Sequence, residues 1–228
     1  HFRIPTDTAA LLTELGSAPP RAQIVRIQAL HGGAGASHLA RAWAYLAARD
    51  GLRVILVDTD PLAPTTQLFD TDNPGWCHHP QSLLPLRFIS HLPRWHGVRI
   101  LAGNPPNSKV RDAVVTQLQA GVDLIIIDEH AGANQQVNRA HWQLAVGMAD
   151  WRTAHAWRYV GARAPSRLVV RSSSVARAQA LIDTLGPDRG WVWKSERART
   201  EVGDQLTPRL RTTTMRLVRE LSAAVRRG

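Results

Sequence analysis

Apolar positions along this chain of 228 residues alternate between two textures. Short continuous runs at IVRIQAL (24–30), RVILVDTDP (53–61), VRILAG (98–103), VDLIIIDEH (122–130) and SRLVVRSS (166–173) predict strands, with a last short one at RGWVWKS (189–195). An unbroken apolar run bounded by polar groups is what a strand covered on both faces requires, and VDLIIIDEH fits this best. Between the runs the period lengthens. SHLARAWAYLAARDG carries Leu39, Ala42, Trp43 and Leu46 at helical spacing and stops at Gly51. Further helices are predicted from about Ser108 to Ala120, over VARAQALIDTLG, and over the tail TTTMRLVRELSAAVRR, whose Met215, Leu217, Val218, Leu221 and Val225 lie toward one side.

Three segments carry weaker signals. Residues 134–160, with Trp142, Leu144, Val146, Trp151 and Trp157, read as helical, and residues 62–97 as a long connection with one short helix around Leu83 to His91. Residues 5–20, PTDTAALLTELGSAPP, read as a short helix capped by Thr6 or Asp7 and stopped by Gly16 and Pro19-Pro20. The organisation expected from this is a linker or docking helix over 1–20, from an expected N-terminal domain not present here, and one compact domain over 21–228 that ends in an amphipathic helix. Strands alternating with helices imply an α/β fold: a three-layer, open, mostly parallel sheet with helices on both faces.

The first strand runs into His31-Gly32-Gly33-Ala34-Gly35-Ala36-Ser37-His38. In the phosphate-binding pattern G-x-x-x-x-G-K-[ST], backbone N–H groups and the helix N-terminus hold phosphate oxygens, the lysine supplies charge and the hydroxyl meets Mg²⁺. Here the glycines and Ser37 remain, while Ala36 stands at the lysine position. Acids follow at strand ends: Asp58 and Asp60 after the second run, Asp128 after the later one. Ligands bind outside the carboxyl ends of strands in such sheets, so these acids are expected near the glycine loop.

Composition adds a formal charge of +10, nearly all from arginine, since Lys109 and Lys194 are the only lysines. Basic excess is compatible with nucleic acid or an anionic membrane surface, although the arginines are scattered except from Arg209 to Arg227. No segment approaches the roughly 18 apolar residues that cross a bilayer, and a cytoplasmic protein is expected. The single cysteine, Cys77, excludes an internal disulfide. The histidines, His78 and His79 among them, show no ligand spacing for a structural metal.

The glycine loop, the V-D-T-D-P segment, RILAGNPPN and I-I-I-D come in the order found in the MinD/ParA family of P-loop proteins, which the chain resembles over about residues 22–195. The lysine-free loop, the preceding PTDTAALLTEL, DPLAP and SRLVVR more narrowly resemble actinobacterial CpaE-like, TadZ-like or septum-site-determining proteins, associated with Tad-type pilus or secretion machinery. Against the family pattern, His31 replaces the signature lysine and Ala36 the loop lysine. The resemblance implies a nucleotide site at Gly32, Gly33, Ala34, Gly35, Ala36, Ser37 and His38. It implies Mg²⁺ at Ser37, Asp58 and Asp128, and Asp60 orienting water if the site is active. The family also carries a strand near an Ala-Asp pair after the Walker B helix; WRTAHAWRYVGARAP after Ala149-Asp150 lacks one, so that strand is expected to be lost or short and polar.

Without lysine, acids would face the triphosphate unbalanced, so little or no hydrolysis is expected, with weak binding of ATP or ADP with Mg²⁺ retained through backbone amides. The implied function is a scaffold that places a Tad-type pilus or secretion assembly or the septum. It would act as a homodimer with pilus, secretion or division proteins, at the inner membrane face, cell pole or septum. Two alternatives stand beside it: an ATPase given charge in trans, by Arg41 or Arg139 for example, and a basic DNA-binding partition protein.

Overall fold

The computed structural model describes residues 22–59, 85–103, 108–129, 140–160, 167–194 and 212–227. Eight strands alternate with six helices among them: β1 (Gln23–Ala29), α1 (Ala36–Arg49), β2 (Val54–Asp58), α2 (Pro85–His91), β3 (Arg94–Trp95), β4 (Val98–Ala102), α3 (Ser108–Leu118), β5 (Leu124–Glu129), β6 (Trp142–Met148), α4 (Trp151–Val160), β7 (Arg167–Ser172), α5 (Val175–Leu185), β8 (Arg189–Lys194) and α6 (Thr212–Arg227). They form one sheet in the order β3-β4-β2-β5-β1-β6-β7-β8. Every pairing is parallel except that of the two-residue edge strand β3 with β4. The expected open α/β sheet is present, and the antiparallel edge is an addition to it.

Alternation along the strands sorts their side chains into layers. Val25, Ile27, Val54, Leu56, Leu124, Ile126, Leu144, Val146 and Val169 meet α1 and α6 on one face. On the other face Ile24, Ile55, Val57, Ile125 and Ile127 meet α2 and α3, while Ala145, Leu168 and Val170 meet α4 and α5. Both faces are covered, which explains why β2 and β5 read as continuous apolar runs up to their acidic ends.

One reading is corrected. Residues 142–148 form a strand, not part of a helix over 134–160, and β6 pairs in parallel with both β1 and β7. The strand expected to be lost after the Walker B segment is therefore present, and it precedes Ala149-Asp150. Trp142, Leu144 and Val146 stand two residues apart, the period of a strand, and all three are buried. Only α4, from Trp151, retains the helical reading; residues 134–139 lie outside the described residues, as do 1–21 and Cys77 with His78 and His79.

The tail helix spends its apolar side internally. Leu217, Val218, Leu221, Ala224 and Val225 are buried against α1 and β8, and Thr214 accepts a hydrogen bond from Trp193 Nε1 at 3.3 Å. Most described tryptophans also pack inside, but Trp151 is 75% exposed. Among the described residues, no helix is long and apolar enough to cross a membrane.

Candidate functional site

Strand β1 ends at Ala29 and α1 begins at Ala36, so the glycine turn stands at the carboxyl edge of the sheet. Gly33 and Gly35 have φ of 78° and 97°, the left-handed region that side chains resist. Gly35 is the N-cap of α1 and provides no side-chain cap, and the first turn carries no acid. Backbone N–H groups at a helix start are of the kind that can hold an anion. Ala34 and Ala36 are both buried, and Ala36 belongs to the core under α1. Ser37 and His38 occupy the first turn of α1.

The acids follow from register. Asp58 ends β2 and is paired directly with Asp128 of β5. Each continues the alternation of side chains that pack on α1, Val54 and Leu56 in β2, Leu124 and Ile126 in β5. Both carboxyl groups therefore belong to the α1 face, and both residues are almost wholly buried. The two residues stand on adjacent strands about 4.8 Å apart. Carboxylates are hard oxygen donors of the kind Mg²⁺ takes when water and phosphate complete its shell, although among the described residues no group of three or more His, Cys, Asp or Glu is gathered to hold a metal. Asp60 lies outside the described residues.

His31 does not point a cation into a ligand space. Its Nε2 is 3.0 Å from Thr153 Oγ1, 3.4 Å from the donating Met148 N–H and 3.5 Å from Asp150 Oδ1; its Nδ1 is 2.9 Å from the Gly32 carbonyl. These contacts tie the turn to the start of α4, where Asp150 Oδ1 accepts the Thr153 N–H at 3.1 Å. Burial raises the Asp150 carboxyl, but the Arg152 hydrogen bond, the Thr153 N–H and nearby His31 and Arg152 outweigh it and leave the group below its ordinary value. Arg41, considered as a source of charge, donates from Nε to the Ser37 carbonyl within α1 at 3.1 Å; Arg139 lies outside the described residues.

Two groups escaped the sequence reading. Glu129, adjacent to Asp128 but facing the opposite layer, accepts Arg26 Nε at 2.6 Å and Arg111 Nη1 at 3.4 Å, with all three residues buried. The signal was an arginine inside the apolar run IVRIQAL. Its carboxylate is consumed by structure and turned away from the loop, so it is no general base for a ligand there. The second group is a layer of rings and charge at the turn: His38 stacks on Trp193 with centroids 5.7 Å apart, and the Arg171 guanidinium lies 5.2 Å from that indole.

No protein-family model matches the sequence, and no curated protein matches it. Solved structures do match. A plasmid partition protein of Borrelia burgdorferi bound to AMPPNP superposes with a TM-score of 0.64 at 15% identity, covering 90% of this chain and 99% of that one. The septum site-determining protein MinD of Pyrococcus horikoshii, complexed with Mg-ADP, gives 0.53 at 18% identity over 76% and 82%. The pNOB8 ParA bound to nonspecific DNA gives 0.53 at 16% over 72% and 74%. The chain has the fold of the ParA/MinD P-loop proteins, as the order of its motifs led one to expect.

Proposed function

We propose that this chain is a MinD/ParA-type positioning scaffold that binds a nucleotide weakly and hydrolyses it little or not at all. The observation that carries the reading is the fate of the two lysine positions. His31 is engaged with Thr153, Asp150 and Met148, and Ala36 is packed in the core, while the turn keeps its two left-handed glycines. A charged clamp on the transferred group is worth about 10³–10⁵ in rate where an arginine finger supplies it. A turn without one retains the backbone contribution to binding but lacks most of that acceleration. The candidate ligand is ATP or ADP, with Mg²⁺ held by Ser37, Asp58 and Asp128; the neighbours bound to AMPPNP and Mg-ADP make this the first pair to try.

The task assigned to the scaffold is placement of a Tad-type pilus or secretion assembly, or of the septum, as a homodimer that recruits those proteins at the membrane face, pole or septum. Support comes from the likeness to a septum-site protein and from the motif set shared with CpaE-like and TadZ-like proteins. Titration calorimetry with ATP and Mg²⁺, phosphate release and light scattering test the proposal together. Weak binding with negligible release is the expected result; turnover comparable to lysine-bearing relatives rejects it, and activity that climbs with protein concentration and vanishes on changing one arginine favours charge in trans.

A second reading, DNA binding as in partition proteins, is favoured by the formal charge of +10 and by the DNA-bound ParA neighbour. It requires sequence-independent retention on DNA that weakens steeply with salt. No retention at low salt removes it.

A further inference from the structure

Two buried residues anchor α4 and leave a row of rings outside. Thr153 sits so closely on Gly147 of β6 that a Cβ on that glycine would collide with its Oγ1, and Trp157 donates from Nε1 to the Leu185 carbonyl of α5 at 3.2 Å. On the opposite side of the helix Trp151, His155 and Tyr159 recur every four residues, the spacing that stacks side chains along one face. Their ring centroids are 6.4 and 5.1 Å apart, and Trp151 and Tyr159 are 75% and 69% exposed. Arg152 and Arg158, both exposed, share this side, and α4 contains no acid. Between α4 and α5 lies an open groove of about 290 Å³, walled by Ala149, Ala154, Ala180 and Leu181, with Arg177 and Thr184 contributed by α5. Asp150 also lines it, but its carboxylate already accepts Arg152 Nε and Nη2 at 3.0 and 2.7 Å and the Thr153 N–H at 3.1 Å. Asp183 of α5 does not line the groove and accepts Gln179 Nε2 at 2.8 Å.

We propose that the ring row of α4 and the α4–α5 groove together form a docking site for an acidic amphipathic helix of a partner protein. The site stands apart from the glycine turn and does not depend on whether a nucleotide is bound there. A helix laid in a groove inserts apolar anchors at i, i+3, i+4 and i+7, and the alanine walls with Leu181 leave room for such aliphatic side chains. Tryptophan, tyrosine and arginine are the side chains that carry most of the binding energy of protein interfaces, and exposed rings contribute little to the fold that bears them. Charge selects the partner. Arg152, Arg158 and Arg177 border the site against one carboxylate already engaged, on a chain of formal charge +10, so acidic helices are drawn in and basic ones repelled. The same arginines oppose a second copy of this chain, whose own set would be brought face to face with them. A bilayer surface is flat and leaves the concave groove unfilled, and a nucleic acid offers phosphates to the arginines but little aliphatic surface to the alanines.

The test is selection, against the full chain, from a displayed library of helical peptides with leucine fixed at i, i+3, i+4 and i+7 and every other position free. Fluorescence anisotropy then compares the recovered peptides on the wild type, W151A and R158E. Recovered peptides should carry net negative charge, and W151A and R158E should each bind them at least about tenfold more weakly. R158E should also gain affinity for the same peptide with lysine in place of its glutamates. Both substituted side chains are exposed, so melting temperatures without peptide should stay near that of the wild type. Should W151A unfold, A180F, which fills the groove from an exposed position, carries the same comparison. Neutral or basic peptides, peptides that bind the variants as tightly as the wild type, or a selection that recovers none overturn the proposal. So does binding that depends on Trp151 but goes to vesicles of phosphatidylcholine and phosphatidylglycerol, to a DNA duplex, or to a second copy in sedimentation, with no peptide bound. Rapid phosphate release by the wild type would count against the scaffold and leave this docking site standing, so the two readings fail separately.

Discussion

Replacing Glu129 with glutamine isolates what the buried Arg26–Glu129–Arg111 group does. The carboxylate is fully buried, accepts Arg26 Nε at 2.6 Å and Arg111 Nη1 at 3.4 Å, and joins β1, β5 and α3. Glutamine preserves the shape and one acceptor but removes the buried carboxylate that Arg26 and Arg111 share, while Arg111 keeps Asp112 Oδ1 at 3.3 Å. Breaking a buried pair from one side costs about 3–5 kcal/mol, a large share of the roughly 5–15 kcal/mol that holds a domain together. At about 2–4 °C per kcal/mol for a chain of this size, the melting temperature should fall by roughly 6–20 °C. Differential scanning calorimetry and urea unfolding read this directly, and nucleotide titration of the folded variant should be unchanged because Glu129 faces away from the turn. A fall under about 2 °C would refute the structural assignment; a normal melt with lost nucleotide affinity would make Glu129 a ligand-facing acid. Replacing all three residues with apolar ones of similar volume should be near neutral, because the desolvation penalty disappears with the charges.

Three further outcomes follow from other parts of the structure. Gly35→Ala must place a side chain at φ 97° against Arg171 and Trp193, so a loss of about 2–4 kcal/mol in urea unfolding is expected from backbone conformation and overpacking together; an unchanged midpoint would refute the turn geometry. Ala36→Lys restores charge within the turn and should raise ATP–Mg²⁺ affinity at least about tenfold by calorimetry, whereas no gain would mean that missing charge does not limit the grip. Asp123 accepts Arg53 through its side chain at 2.6 and 3.1 Å and its backbone N–H at 2.8 Å. The Arg53 side-chain hydrogen bond is the main reason its carboxyl sits below the ordinary value. A depressed carboxyl stabilises the fold above its unfolded pKa near 3.8 and loses that contribution as pH falls through the folded value. Asp123→Asn should therefore lower the melting temperature by about 1–4 °C at pH 7, as for a surface pair, with the difference shrinking toward pH 3. A difference independent of pH would reject the pair as its cause.

Local pattern alone was enough to set the sheet and to put the glycine turn between its first strand and helix. Continuous apolar runs cannot be solvated on either face, so IVRIQAL, VILVD and LIIID had to become central strands with helices above and below, and a glycine turn between strand and helix had to fall at their carboxyl edge. It misassigned 142–148 because the helical reading of 134–160 passed over the two-residue period of Trp142, Leu144 and Val146, and only parallel pairing of β6 with β1 and β7 decides the matter. Which cations serve which acids was likewise undetermined. Arg26 reaches Glu129 across 103 positions and Arg171 meets Gly35 from two strands away. Such contacts depend on which strands lie side by side and on which face each side chain emerges, and neither is a property of local spacing. A tally of lysines finds none in the turn, and it says nothing of the Arg171 guanidinium and Trp193 ring that the tertiary fold packs against Gly35.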